Sequence, residues 1–383
     1  MTDMIDNSEL ELFRDTVRRF FAEEVEPNYE QWEKDGRIPP EFYLKMGEMG
    51  LLCVDVPEEY GGIGAPFEYS MLILGECARM GYLALASNLS VHSDIAAPYI
   101  LHLGTEEQKQ HYLPRMVAGE CIGAIGMSEP GAGSDVQGIK TNAKPDGEGN
   151  YIINGSKTFI TNGQNTGVVV LATKTDPSAG ARGTTLFLMP GEAEGFERGR
   201  NLEKIGQHAA DTSELFFKNV KLPASAILGK EGGGFGHLMD ELPRERLALA
   251  MTAVEHAQGA LERTRDYVLE RKAFGQPIAK FQNTRFQLAR MKADIEVNRA
   301  YLEKAVQKYA VGELDVTMAA IIKYATTEME CRVCDMGLQL FGGYGYTSEY
   351  PISRYFTDAR VQRIYGGTSE IMLEVIARDV VGR

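Results

Sequence analysis

Tyr151-Ile-Ile-Asn-Gly155-Ser-Lys-Thr-Phe159-Ile-Thr-Asn-Gly163-Gln-Asn-Thr-Gly-Val168-Val-Val-Leu171 is the stretch on which the fold turns. Its β-branched runs are separated by the turn pairs Asn154-Gly155 and Asn162-Gly163, a strand-and-turn texture rather than a helical one. Further runs follow at Thr184-Thr-Leu-Phe-Leu188 and Glu214-Leu-Phe-Phe217, with Pro190-Gly191 as another turn signal. A small β-domain is expected over residues 121–235. On its N-terminal side, Leu10, Phe13, Val17, Phe20 and Phe21 recur at spacings of three and four, and Thr105-Glu-Glu-Gln108 opens a helix on a threonine cap. Beyond Gly232-Gly-Gly-Phe-Gly236 the helical period returns through Leu288, Met291, Ile295, Leu302, Val306 and Tyr309. The pattern predicts an α+β chain: a helical domain over 1–120, the β-domain, and a helical bundle over 236–383. Alternating βαβ units, solenoid repeats and low-complexity tracts are absent.

The chain has 383 residues, with 40 Lys and Arg against 54 Asp and Glu, a formal charge of −14. Such a balance argues against a nucleic-acid partner. No apolar run approaches the roughly 18 residues of a membrane span, so no membrane role is expected. The opening Met1-Thr-Asp-Met-Ile-Asp-Asn-Ser-Glu9 is acidic and polar, unlike a signal peptide or transit sequence, and a cytoplasmic address is expected. The five cysteines are scattered, which suits reduced thiols. Cys331 and Cys334 form the one CxxC, but Ile322, Ala325, Met329, Val333, Met336 and Leu340 place it inside a helix. With no second ligand pair nearby, no metal site is expected. The six histidines form no HxxxH or HExxH pattern, and structural or surface roles are expected for them.

No GxGxxG and no GxxxxGK[ST] occurs, which leaves a nicotinamide or P-loop site without support. Two other segments stand out. Gly126-Met-Ser-Glu-Pro-Gly-Ala-Gly-Ser134-Asp135 is a glycine-rich loop whose backbone N–H groups suit a planar ring or a pyrophosphate. Gln339-Leu-Phe-Gly-Gly343-Tyr-Gly-Tyr-Thr-Ser-Glu349-Tyr-Pro-Ile-Ser-Arg354-Tyr-Phe-Thr-Asp358 lies near the other end. Together they resemble the two signature patterns of the acyl-CoA dehydrogenase family. The likeness continues through Phe159-Ile-Thr-Asn-Gly163, Arg271-Lys-Ala-Phe-Gly275 and Tyr365-Gly-Gly-Thr-Ser-Glu370, in the family's order and over nearly the whole chain.

The resemblance implies an N-terminal helical domain, a β-barrel-like middle domain and a C-terminal four-helix bundle. It further implies FAD held between domains and across a subunit interface, a homotetramer built as a dimer of dimers, an acyl-CoA substrate, and an electron-transferring flavoprotein as acceptor. Carried over by position, Ile125, Met127, Ser128 and Ser134 line the flavin, with Ser134 also reaching toward the pantetheine arm, and Phe159, Ile160 and Thr161 pack against the ring. Arg271, Phe274 and Gln282, with Gln339, Leu340, Phe341, Gly342 and Gly343, correspond to the pyrophosphate and adenine positions. Thr368, Ser369 and Glu370 complete the cofactor wall. A bidentate guanidinium fork suits phosphate.

The family's reaction takes a proton from the α carbon and a hydride from the β carbon of a thioester. It therefore needs a base and hydrogen-bond donors on the thioester oxygen. Many members carry the catalytic Glu directly after the position of Tyr365, where this chain has Gly366. Another branch, the long-chain and isovaleryl type, places the base on a helix before an Arg. Here Glu241-Leu-Pro243-Arg-Glu245-Arg246 supplies it, and the pattern looks most like the long-chain type. The resemblance thus assigns Glu245 as base, Gly366 as a backbone donor, and Pro243, Arg246, Gly366 and Gly367 as substrate contacts. If positions 245 and 366 both face the α carbon, Gly366→Glu is expected to rescue Glu245→Gln in part. An oxygen-using relative, an acyl-CoA oxidase or flavin monooxygenase, is the alternative enzyme reading; a non-catalytic acyl-CoA-binding protein is the alternative outside enzymology.

Overall fold

A computed structural model describes residues 7–382. The acidic opening that suggests a cytoplasmic address lies mostly in residues 1–6, outside the described residues. Seven helices come first: α1 (Asn7–Glu24), α2 (Tyr29–Asp35), α3 (Pro40–Glu48), α4 (Phe67–Arg79), α5 (Leu83–Ser90), α6 (Ala97–Leu103) and α7 (Glu106–Val117). The apolar stripe of α1 does what its spacing predicts, burying Val17, Phe20 and Phe21. Thr105 caps α7 reciprocally: its hydroxyl accepts from Gln108 N at 3.3 Å, and the Gln108 side chain accepts from Thr105 N at 3.0 Å. Such a capping box contributes about 1 kcal/mol. The same glutamine amide also donates to the carbonyls of Ser225 and Ile227, tying the first domain to the second.

Eight strands follow: β1 (Ile122–Gly126), β2 (Asn142–Pro145), β3 (Asn150–Thr161), β4 (Thr166–Lys174), β5 (Thr184–Pro190), β6 (Phe196–Asn201), β7 (Thr212–Pro223) and β8 (Ile227–Leu228). They form one sheet ordered β6-β7-β3-β2-β4-β5-β8, with β1 pairing parallel to β4. Among the described residues no ladder joins β6 to β8, so the barrel-like sheet stays open there. The uninterrupted apolar run of β4 has a direct cause. Val168 and Val170 face the main core, while Val169 and Leu171 face the β-domain's own core. A strand covered on both faces needs no polar alternation, and each such side chain contributes about 1.5–3 kcal/mol by burial. In β7 alternation holds through Leu215 and Phe217 and resumes at Val220 and Leu222. Asn219, at φ 53°, absorbs the slip, its N–H held by the Asn154 side chain at 2.9 Å.

The last part holds α8 (Gly234–Glu270), the short strands β9 (Lys272–Ala273) and β10 (Gln276–Pro277), then α9 (Gln282–Ala310), α10 (Val316–Phe341), α11 (Pro351–Ala359) and α12 (Ser369–Val381). Helices α8, α9, α10 and α12 pack as the four-helix bundle. The long α8 also lies against α4 and α5, so it spans two domains. Cys331 and Cys334 lie within α10, and all five cysteines are free thiols. No helix among the described residues is long and apolar enough to cross a membrane.

Candidate active site

Between α5 and α6 the chain makes a single π-helical stretch, Val91–Ala96. Such wide turns rotate everything that follows, and they cluster at functional sites. Here the turn is clamped. Asp94, 1% exposed, accepts from Ser70 Oγ at 2.5 Å and from Arg244 Nη2 at 3.2 Å. Arg244 also pairs with Asp55 at 2.6 Å and lies 4.4 Å over the Phe67 ring. The residue directly before Glu245 is thereby locked to the turn that aims α6.

Tyr99, five residues on from Asp94, and Glu245, directly after Arg244, complete the corner. Tyr99 of α6 donates its hydroxyl to Glu245 Oε1 at 3.1 Å. Tyr99 is fully buried and Glu245 is 6% exposed. Burial pushes the Glu245 carboxyl up to about 7, with Glu241 adding to the rise, while the Tyr99 hydrogen bond and Arg246 oppose it. A carboxylate poised near neutral pH is suited to accepting a proton from a weak carbon acid. Pro243 sits inside α8, two residues before Glu245.

Arg246 is 4% exposed, its Nε has no hydrogen-bond partner, and its Nη2 lies beside Gly367. An orphaned buried donor is costly unless something polar meets it. The loop Tyr365–Gly367 faces this corner, with Gly366 at φ 63° and Gly367 at φ 96°, conformations that favour glycine. The loop is pinned at both ends. Tyr365 meets Ser87 Oγ and Gln207 Nε2, each at 3.3 Å, and the Gly367 carbonyl accepts from buried Lys323 at 2.7 Å. Burial holds Lys323 down to about 8, and Arg246 adds to the shift.

The expected rescue meets a constraint here. A Cβ at Gly366 runs into Leu249 Cδ1 of α8, far inside any real contact. Positions 245 and 366 share a corner, but a side chain at 366 requires the tip of half-buried Leu249 to swing aside and strains a backbone at φ 63°, so Gly366→Glu is expected to rescue Glu245→Gln only in part.

The glycine-rich loop is anchored by a pair the sequence left unread. Lys157, buried in β3, donates to Glu129 Oε1 at 2.9 Å and to the Met127 carbonyl at 3.0 Å. Glu129 also accepts from the backbone N–H groups of Lys140 and Thr141. The Thr158 N–H donates to the Ser128 carbonyl at 3.0 Å, so Ser128 and Phe159 are neighbours. Ile125, Met127, Ser128 and Thr161 are half-buried, Ile160 is buried, and Ser134 is exposed. Phe159 is 69% exposed at φ 60°, an unfavourable place and conformation for an aromatic residue unless something covers it.

A second group gathers at the far end of α8. Arg271 ends the helix, is exposed, and lies 5.4 Å over the Tyr344 ring. Tyr267 stacks on Phe341 at 3.9 Å and donates to its carbonyl. These contacts bring Arg271 to the Gln339–Gly343 segment, where Gln339, Gly342 and Gly343 are exposed, Leu340 is half-buried and Phe341 is buried. Phe274 and Gly275, both at positive φ, form the two-residue turn of the β9–β10 hairpin. Phe274 is 95% exposed, and Gln282 opens α9 nearby in sequence, also exposed. Thr368 caps α12, its hydroxyl accepting from Ile371 N at 3.3 Å. Ser369 donates to Glu328 at 2.7 Å, and Glu370 is exposed.

This geometry defines a helix-borne carboxylate beside a glycine loop, with a separate glycine-rich cradle in the sheet. Residues 7–120, 124–220 and 232–381 match, in turn, the N-terminal, middle and C-terminal domains of acyl-CoA dehydrogenase. The chain belongs to the acyl-CoA dehydrogenase family, and it is an oxidoreductase of that class. It is 47% identical over 377 residues to the long-chain specific acyl-CoA dehydrogenase, mitochondrial, of Sus scrofa, covering 98% of this chain and 87% of that one. Its structure is similar to an acyl-CoA dehydrogenase from Geobacillus kaustophilus, at TM-score 0.96 and 44% identity, over 99% of this chain and 100% of the other. A glutaryl-CoA dehydrogenase from Mycobacterium smegmatis, solved in complex with FADH2, matches at TM-score 0.92 and 29% identity, over 100% and 97%.

Sequence reasoning missed Tyr99, Leu249, Lys323, Ser87 and Gln207, all distant in sequence from the motifs they support. A signal for Lys157 was present: a lysine among the apolar and β-branched residues of a strand demands a partner wherever it is buried.

Proposed function

We propose that this enzyme carries out FAD-dependent α,β-dehydrogenation of a fatty acyl-CoA thioester, giving the trans-2-enoyl-CoA. Electrons then pass to an electron-transferring flavoprotein. The observation that carries the reading is the buried Glu245 carboxyl, raised to about 7 and set beside the Gly366–Gly367 loop.

Glu245 accepts the α proton. The N–H of Gly366, free of any side chain, donates to the thioester oxygen as enolate charge builds, and Lys323 and Tyr365 keep that loop in place. Arg246 supplies a positive field and an unused buried N–H on the same side. FAD, when bound, supplies the acceptor for the hydride leaving the β carbon.

Several features of the chain fit that cofactor. Ile125–Ser134 and Phe159–Thr161 offer a glycine-rich backbone edge and an uncovered aromatic ring for an isoalloxazine. Arg271, Phe274, Gln282 and Gln339–Gly343 offer an exposed cation and open glycines for a pyrophosphate and adenine, with Thr368, Ser369 and Glu370 beside them. A homotetramer is supported by exposed apolar side chains on the hairpin and α9: Phe274 at 95%, Phe286 at 53% and Val297 at 72%. Division at 120 and 235 places the base and the flavin cradle on different domains. The free thiols suit a reducing compartment, and a cytoplasmic one is our reading. Anaerobic bleaching of the flavin against a panel of acyl-CoAs tests the proposal; a protein without bound flavin, or a flavin that no acyl-CoA reduces, contradicts it.

A further inference from the structure

Tyr99 and His102 stand three residues apart on α6, and Glu241 and Glu245 four apart on α8, so each pair shares a helix face. The two faces meet in two rungs. The inner rung is the Tyr99 hydroxyl on Glu245 Oε1 at 3.1 Å. The outer rung is His102 Nδ1 against Glu241 Oε1 at 2.7 Å, with the His102 side chain 45% exposed and that of Glu241 12%.

We propose that this α6–α8 ladder positions and tunes the base, with Tyr99 holding the ionised Glu245 carboxylate and Glu241, capped by His102, opposing that ionisation. The inference rests on the reading of Glu245 as the base. Tyr99 and Glu241 are positioning residues, acting through Glu245.

The inner rung does not depend on chance packing. The π-helical stretch sets the rotation of α6, and Arg244 binds both the carbonyl and the carboxylate of Asp94 within it, at 3.3 and 3.2 Å. Because Arg244 and Glu245 are adjacent, the anchor that fixes the turn also fixes the carboxylate relative to the phenol. A donated O–H favours a carboxylate over a carboxylic acid, whereas a second carboxylate on the same helix face disfavours it. These opposite effects act on Glu245 from Tyr99 and from Glu241. Arg246, on α8 itself, favours ionisation, and the charge of exposed Asp240 acts on Tyr99. Arg244 is turned away toward Asp55 and Asp94. The His102 ring closes over the Glu241 carboxylate on its solvent side.

The test is the pH profile of flavin reduction by a saturating acyl-CoA, measured on the holoenzyme by anaerobic stopped flow. Tyr99→Phe keeps the ring and removes the donor, and the acid limb should move up by about 1 pH unit, the scale of one hydrogen bond to a charged group. Glu241→Gln should move the same limb down. Binding of an unreactive acyl-CoA analogue should stay within about twofold of wild type in both, since the predicted effect acts on the proton at Glu245 rather than on binding. Movement of one limb only supports that rung and overturns the other, and two profiles superimposed on wild type overturn the ladder. If Tyr99→Phe does not fold, the near-surface Glu241→Gln decides alone, and an unmoved limb overturns the proposal. Glu245→Gln separates the two levels. If it still reduces flavin at the wild-type rate, the base lies elsewhere and the ladder falls with it. If it is inactive while both limbs stay put, only the tuning is wrong.

Discussion

The tip of the Leu249 side chain lies where a Cβ at Gly366 would sit. It lies one turn after Glu245 on α8, so the helix that carries this carboxylate also crowds the loop. A carboxylate placed on the loop needs that leucine to move, and φ 63° favours glycine there.

It follows that Glu245→Gln with Gly366→Glu should recover only a small part of the flavin reduction, because Leu249 must swing aside and the backbone at 366 is strained. Adding Leu249→Ala opens the corner, and more of the flavin reduction should return. Single-turnover rates of the double and triple variants check this. Full rescue in the double variant contradicts the steric argument.

Glu245 also sets a pH dependence of stability. Its carboxyl titrates at about 7 when folded against 4.5 for the free group, so the native state holds the proton more tightly. The contribution is fully present below pH 4.5 and is lost as pH rises to 7, by up to about 3 kcal/mol. Glu245→Gln removes that loss. Its melting temperature should exceed that of wild type at pH 8, with the gap closing toward pH 5, as read by thermal scans.

Arg271→Ala should weaken FAD retention about tenfold to a hundredfold, because a charge-assisted hydrogen bond contributes about 1.5–3 kcal/mol. Ultrafiltration followed by flavin absorbance measures it. Unchanged retention removes Arg271 from the cofactor site.

Lys157→Met should destabilise the fold by about 3–5 kcal/mol, since it leaves the Glu129 carboxylate buried without its cation. The matched change Glu129→Gln with Lys157→Met should recover much of that loss. Chemical denaturation of the two variants and the wild type provides the comparison, and equal stability of single and double variants contradicts the pairing.

The helix, strand, helix order was legible because each period is a local property. Phe20 and Phe21 repeat as a helix does, and Val168–Leu171 read as a strand without any partner in view. Glu245 was legible through the absence of an acid at 366 together with Arg246 beside it. Tyr99 was not, because its role depends on a π-helical stretch, Val91–Ala96, whose extra residue leaves no mark in the hydrophobic period. Leu249 was hidden for a related reason: its position four after Glu245 is plain, but the loop it blocks lies more than a hundred residues away. Contacts of that kind follow from tertiary packing rather than from spacing.

Glu245→Gln tests the central claim most directly, because the amide keeps the size of the carboxyl and cannot take the α proton. With FAD bound and acyl-CoA affinity retained, anaerobic stopped flow should show flavin reduction slowed by about 10²–10⁴-fold. Reduction at the wild-type rate contradicts the assignment of Glu245 as the base.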